Sequence, residues 1–407
     1  MSKPARKLRP KIGLALAGGG PLGAVYETGV LMALDESLAG IDLNALDVYV
    51  GVSAGSFIAS GLANGITPEE IYRLFIGNQT IDGARLKPET FLKPAYREYF
   101  QRARSVPLLF VDALWRYLTS PIERGTIDSF AGLAGAIPTG IFDNDAISHF
   151  LDKAFSERGR SNDFRKLKHK LYAVATDLDT GQSVKFGAPG FDHVPISRAI
   201  QASTALPGLY PPVHIDGHTY ADGALLRTMN ASLLLDAGAE FVICINPLVA
   251  FDASSAPRRR NGTRNRLDLV NGGLPTVLSQ TFRAMIQSRM QVGMKTYKKR
   301  YPRADVLLFE PDRGDDELFF QNMFRYSDRK RLAEHAYQRT RRDLLAQADG
   351  LEVMLARHGL GLRRDVLRDR SRTFAGAVRE RRRRQQPVTG PLHQALDRLA
   401  AVLATHA

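Results

Sequence analysis

Twice within fifty residues the chain reads short apolar run, glycine-containing turn, helix, and nothing else in its 407 residues constrains the fold as strongly. The first run, Ile12 to Ala17, ends in Gly18-Gly19-Gly20, and beyond Pro21 the residues Val25, Tyr26, Val30, Leu31 and Leu34 recur at helical spacing. The second, Asp47-Val48-Tyr49-Val50, passes through Gly51-Val52-Ser53-Ala54-Gly55 into Phe57-Ile58-Ala59. Two such units in succession predict a parallel sheet with helices on both faces, a three-layer α/β/α architecture.

The rest of the chain extends this plan. Thr67-Pro68-Glu69-Glu70 is a capping box with proline at the first helical position, so a helix starts there. From about 71 to 165 the text is helical and irregular and reads as an insertion. Leu171 to Thr176, a turn at Asp179-Thr180-Gly181 and Ser183 to Phe186 form a hairpin, and a second hairpin turns at Asp216-Gly217. Asn230 to Asp236 reads as a helix ending at Gly238. Phe241 to Ile245 is a buried strand, and Val306 to Phe309 is the last strand of the sheet. Beyond Asp328 the sequence is helical and includes Arg381-Arg382-Arg383-Arg384. The expected organisation is a sheet domain over 10–312 and a basic helical segment over 313–407.

Net charge is +14, and residues 313–407 hold 20 Lys/Arg against 12 Asp/Glu. Guanidinium groups in such a segment suit phosphate, whether of anionic lipid or of nucleic acid. No nucleic-acid reading module is recognisable, so nucleic acid is not an expected partner. The basic stretch Arg258 to Arg264 reads as a solvated loop. Cys244 is the sole cysteine, which excludes an intramolecular disulfide and a cysteine-held structural zinc. Ile12 to Ala17 is too short for a signal or spanning segment, and the expected setting is reducing and cytoplasmic.

The glycine loop has two readings. Gly18-x-Gly20-x-x-Gly23 between strand and helix satisfies the dinucleotide fingerprint. That reading needs an acidic residue at the end of the second strand, and Asp42 and Asp47 both come before that point. Alternatively, glycine amides at a helix N-terminus can converge on a developing negative charge as an oxyanion hole.

Gly51-x-Ser53-x-Gly55 places serine on a sharp strand-to-helix turn, where small neighbours tolerate a strained backbone and the hydroxyl projects from the sheet edge. A serine hydroxyl needs a base. Among histidines after Asp222 only His335, His358, His393 and His406 are available, all in the basic helical segment, while His214 and His218 flank a hairpin turn. Asp222 is the better candidate. It ends a strand, Gly223 beside it leaves room for close approach, and a carboxylate in a dry cleft gains proton affinity enough to act as base.

Four signals in order resemble the patatin-like phospholipase family over roughly residues 10–312: Gly18-Gly19-Gly20-Pro21-Leu22-Gly23, Gly51-Val52-Ser53-Ala54-Gly55, Ala202-Ser203-Thr204-Ala205-Leu206-Pro207 and Asp222-Gly223-Ala224. The resemblance implies a Ser/Asp dyad lipid acyl hydrolase with no metal or cofactor. By resemblance Ser53 is the nucleophile and Asp222 the base, Gly18, Gly19, Gly20 and Gly23 supply the oxyanion hole, and the third motif packs beside the site. Leu22 stands where the family usually has Arg or Lys, Ala224 where it has glycine, and the asparagine expected soon after comes late, as Asn230. The implied partner is a lipid ester, with peripheral contact to an anionic membrane. Pro107 to Leu118, which holds Trp115 among basic neighbours, has two readings, an ordinary core helix first and a second candidate for that contact after it. A different class of reading is a lipid-binding or membrane-scaffolding protein that keeps the fold with little turnover. Oligomeric state leaves no sequence signal.

Overall fold

The computed structural model describes residues 9–77, 92–104 except 97 and 101, 138–252, 273–314 and 326–385. The stretch around Trp115, the loop at 258–264, His393 and His406 lie outside the described residues, as do parts of the expected insertion.

Among the described residues eight strands form one sheet. At its centre β1 (Ile12–Leu16) pairs in parallel with β3 (Val48–Val52) on one side and β8 (Phe241–Ile245) on the other, and β8 pairs in parallel with β9 (Asp305–Phe309). These central strands are almost wholly apolar because both faces are covered, as parallel sheets require. Their side chains alternate. Leu14, Leu16, Phe241 and Ile243 enter one core, whereas Ala15, Val48, Val50, Val242 and Cys244 enter the other. The two-residue β2 (Leu38–Ala39) falls between β1 and β3 in the chain but outside this sheet.

The far side of the sheet is antiparallel, and its register decides where the site falls. β4 (Lys170–Asp177) pairs in parallel with β3 along Lys170 to Val174. It pairs antiparallel with β5 (Gln182–Phe186) along Ala173 to Asp177, and with β7 (His218–Asp222) along Ala175 to Asp177. A strand has only two edges, and β5 overlaps both other partners, so β3 and β7 must share the opposite edge of β4. They run towards each other along it: Val52 faces Val174 and Asp222 faces Ala175. The carboxyl ends of two strands therefore meet at one point. The short β6 (Val213–Ile215) closes the hairpin onto β7.

Helices cover both faces. On one lie α1 (Gly20–Ser37), α2 (Ala54–Ala63), α3 (Pro68–Phe75), α4 (Asp145–Phe155) and α5 (Ile196–Ser203). The Thr67 capping box at the start of α3 is formed in both directions, with Thr67 Oγ1 accepting the Glu70 amide and Glu70 accepting the Thr67 amide. On the other face lie α6 (Ala231–Asp236) and the long α7 (Gly273–Arg300).

The C-terminal segment is helical as expected, but its described part does not stand apart. Elements α8 (Tyr326–Ala346), α9 (Ala348–Arg357), β10 (Gly361–Leu362), α10 (Arg364–Arg368) and α11 (Phe374–Gln385) complete the core over α1, with Leu332, Ala336, Tyr337, Leu355 and Phe374 all buried. β10 pairs with β2. Several arginines there are bound internally: Arg341 is buried and donates to the carbonyls of Val366 and Asp369, and Arg372 reaches Glu36 of α1 at 3.0 Å. A buried guanidinium capped by backbone carbonyls is a structural clamp, not a free cation for phosphate.

Candidate active site

Ser53 occupies the turn between β3 and α2 with φ 54° and ψ −126°, one of three non-glycine residues with positive φ among those described. A β-carbon-bearing residue holds that conformation only where its surroundings enforce it. Here the neighbours must be glycine. A Cβ on Gly51 would lie 2.3 Å from Ser56 Cα, and one on Gly55 would lie 2.5 Å from the Leu16 carbonyl oxygen. The Ser53 amide donates to Ser203 Oγ at 2.9 Å, and Ser203 in turn donates to the Val174 carbonyl at 2.6 Å. The third motif thus grips the turn through the end of α5.

Asp222 arrives from the opposite direction at the end of β7. It is 2% exposed, its Oδ1 accepts the Ala224 amide at 2.8 Å, and its carboxylate is within hydrogen-bonding reach of the Ser53 hydroxyl. Burial pushes its pKa up to about 6, even though bonds from Ser53 and Ala224 act to lower it. The backbone on both sides is tied down. The Asp222 amide donates to Ala205, and Thr176 Oγ1 donates to the Asp222 carbonyl. Gly223 is required because a Cβ there would lie 2.2 Å from the Val174 carbonyl oxygen.

The glycine loop ends beside these two residues. A Cβ on Gly18 would come within 3.1 Å of Ser53 Cβ and 3.3 Å of Ala224 Cβ, which puts the loop backbone against the elbow. Gly19 caps α1, and Gly20 takes φ 60° as its first residue. The Gly23 amide donates to the Gly19 carbonyl at 3.0 Å, so it is committed within the helix and is not a free oxyanion donor. Its glycine has a packing cause instead: Pro247, which follows β8, would lie 3.0 Å from a Cβ at Gly23 and 2.6 Å from one at Gly19. Leu22, in place of the usual base, packs against the core.

Ser53 and Asp222 open into a narrow cavity of about 80 Å³ walled by Pro21, Ala24, Phe57, Phe75, Ile147, Leu206, Leu209 and Tyr210. Among the described residues no histidine lines it. His218 instead faces Asp177 at 3.1 Å, His214 bonds Thr219, and His358 bonds Asp305. Sequence reasoning missed the grip of Ser203 on the elbow and the part of Pro247. The first lay hidden in a motif expected only to pack nearby, and the second has no local signal.

Fold and site together define a class of three-layer α/β protein, in which a serine on a nucleophile-elbow turn faces a buried carboxylate beneath a glycine loop. The patatin-like phospholipase profile matches residues 14–235, more than half of the sequence, and the chain belongs to that family of lipid hydrolases. An uncharacterised protein of Acanthamoeba polyphaga mimivirus is 24% identical over 225 residues, covering 54% of this chain and 60% of its own length. An uncharacterised NTE family protein of Mycobacterium tuberculosis is 25% identical over 235 residues, 58% of this chain and 30% of its own. The chain therefore spans less than two thirds of these relatives. Among solved structures, VipD from Legionella pneumophila aligns over 82% of this chain and 66% of its own, at 15% identity and a TM-score of 0.35.

Proposed function

We propose that the protein hydrolyses lipid esters through an acyl-enzyme on Ser53, with Asp222 as the only general base. The observation that carries this reading is the meeting of Ser53 and Asp222 at the mouth of an apolar cavity, with no histidine lining it among the described residues.

The chemistry balances with these two side chains and water. Asp222 takes the Ser53 hydroxyl proton as Oγ attacks the ester carbonyl, and the resulting oxyanion faces the amides of the Gly18 to Gly20 loop at the positive end of α1. Collapse breaks the ester C–O bond, and Asp222 returns its proton to the leaving alcohol. Water then enters and attacks the acyl-enzyme as Asp222 accepts its proton; collapse breaks the bond from the acyl carbon to Ser53 Oγ, Asp222 returns the proton to Oγ, and the carboxylic acid leaves. The apolar cavity wall suits an acyl chain, which makes a lipid ester a better substrate than a polar one.

A fluorophosphonate carrying a long alkyl chain tests this directly. Covalent labelling at Ser53, lost in Ser53→Ala, together with release of fatty acid from phospholipid, supports an enzyme. Labelling without turnover on any lipid ester points instead to the lipid-binding reading with a retained fold.

A further inference from the structure

On the face of the sheet opposite the apolar cavity, α6 and α7 enclose a separate cleft of about 370 Å³. Its walls carry three arginines, Arg227, Arg289 and Arg300, against a single carboxylate, Asp236. Arg300 pairs with Asp236 at 3.5 Å, while Arg289 donates to the Leu225 carbonyl at 2.6 Å, which fixes its direction without neutralising it. Arg227, exposed, lies near Tyr297 in the cleft wall and has no carboxylate partner among the described residues. Among the described residues two guanidinium charges thus lack a carboxylate partner in one concave space, a setting that suits a phosphate.

Exposed apolar residues stand beside this cleft on α7, of which Val292 lines it and Phe282 and Met285 lie further along the helix. Along α7 the residues Phe282, Met285, Arg289, Val292, Thr296 and Arg300 follow one another at spacings of three or four, so they lie on a single face of the helix. Val292 is 64% exposed and Met285 48%, whereas the neighbouring face, with Ile286, Met290 and Met294, packs against the sheet. Free phosphate needs no apolar neighbours. A phosphate that arrives with acyl chains beneath it does.

We propose that this cleft seats the phosphate headgroup of an anionic phospholipid in a bilayer, while Phe282, Met285 and Val292 enter the headgroup boundary. It is a docking site separate from the cavity at Ser53, and it holds whether or not Ser53 reacts. The two charges and the apolar residues act together, since either alone gives weak attachment to a membrane surface.

Sedimentation with vesicles tests it. Wild-type protein should bind phosphatidylcholine vesicles containing phosphatidylglycerol, and hardly bind vesicles of phosphatidylcholine alone. Arg227→Gln should weaken that binding about fivefold, as expected for one basic side chain at an anionic surface. Val292→Asp should weaken it by a similar factor or more. Both variants should melt at the wild-type temperature and hydrolyse a soluble short-chain ester as wild type does, which separates this proposal from the reading of Ser53. Absent binding by wild type, or equal binding by both variants, overturns the proposal. So does complete displacement from vesicles by glycerol 3-phosphate at millimolar concentration and constant ionic strength, because the occupant would then be a soluble phosphate ester.

Discussion

The Ser203 hydroxyl accepts the backbone amide of Ser53 at 2.9 Å while donating its own proton to Val174 at 2.6 Å. One buried hydroxyl thus links the strained turn to the strand that β3 and β7 share. Ser203→Ala leaves the Ser53 amide without this acceptor in a dry environment, at a cost of about 1–3 kcal/mol. Since Ser203 touches no reacting atom, its loss should lower kcat and slow fluorophosphonate labelling while leaving KM little changed. A variant with wild-type labelling rate and reduced thermal stability would assign Ser203 to the fold alone.

If Ser53 and Asp222 work as one unit, Ser53→Ala and Asp222→Asn should each lower ester hydrolysis by several orders of magnitude, and the double variant should lose little more. His218→Ala and His214→Ala should retain most activity, because these side chains bond Asp177 and Thr219 away from the cavity. Complete loss in a well-folded histidine variant would contradict a dyad.

The base must be ionised to accept a proton, and burial holds the Asp222 pKa at about 6. Activity should therefore rise with pH through that value and level off above it. A profile already flat from pH 4.5 upward would show that Asp222 ionises as an ordinary carboxylic acid and that the dry site does not tune it.

The same burial sets a cost in stability. Folded Asp222 holds its proton more tightly than the unfolded chain does, so its contribution to stability is intact below the ordinary carboxylic acid pKa and is lost as pH rises to about 6. Asp222→Asn removes the buried charge and keeps an oxygen to accept the Ala224 amide. At pH 8 it should be more stable than wild type by roughly 1–3 kcal/mol, with the gap closing near pH 4. Urea denaturation at the two pH values measures it, and equal stabilities at pH 8 would argue against a strained carboxylate.

Much of this was legible locally. The turn at Gly51 to Gly55, the Thr67 box, the hairpins at Asp179 and Asp216 and the strand Phe241 to Ile245 each depend on residues adjacent in sequence, and each forms where the pattern put it. The pairing of Ser53 with Asp222 was inferred from the lack of a well-placed histidine, the strand end beside Gly223 and the family resemblance, but its cause, two strands meeting on one edge of β4, is a matter of register among distant segments. The C-terminal arginines show the opposite limit. Arg341 and Arg372 counted among basic residues suited to phosphate, since nothing in their own stretches of sequence announces that carbonyls at 366 and 369 and the Glu36 carboxylate will receive them.

How closely the C-terminal segment docks can be read from a pair of glycines. Gly29 lies in α1 where α8 crosses it, and a Cβ there would sit 2.5 Å from the Ala333 carbonyl oxygen and 2.8 Å from Ala336 Cβ. Gly350, in α9, is exposed and has nothing within 4 Å of the same added atom. Alanine in a helix gains about 1 kcal/mol over glycine, so Gly350→Ala should stabilise the protein by up to that amount. At Gly29 the same gain is opposed by displacement of backbone in a packed interface, which costs about 1–3 kcal/mol for small overpacking and more for a larger side chain. Gly29→Ala should therefore be neutral to destabilising by about 2 kcal/mol, and Gly29→Leu should detach α8 from α1 and expose Tyr337 and Leu332. Thermal melts of the three variants, with limited proteolysis of the segment after residue 326, give the comparison. Equal stabilisation by alanine at both positions would mean that α8 rests on α1 more loosely than its contacts at Gly29 require.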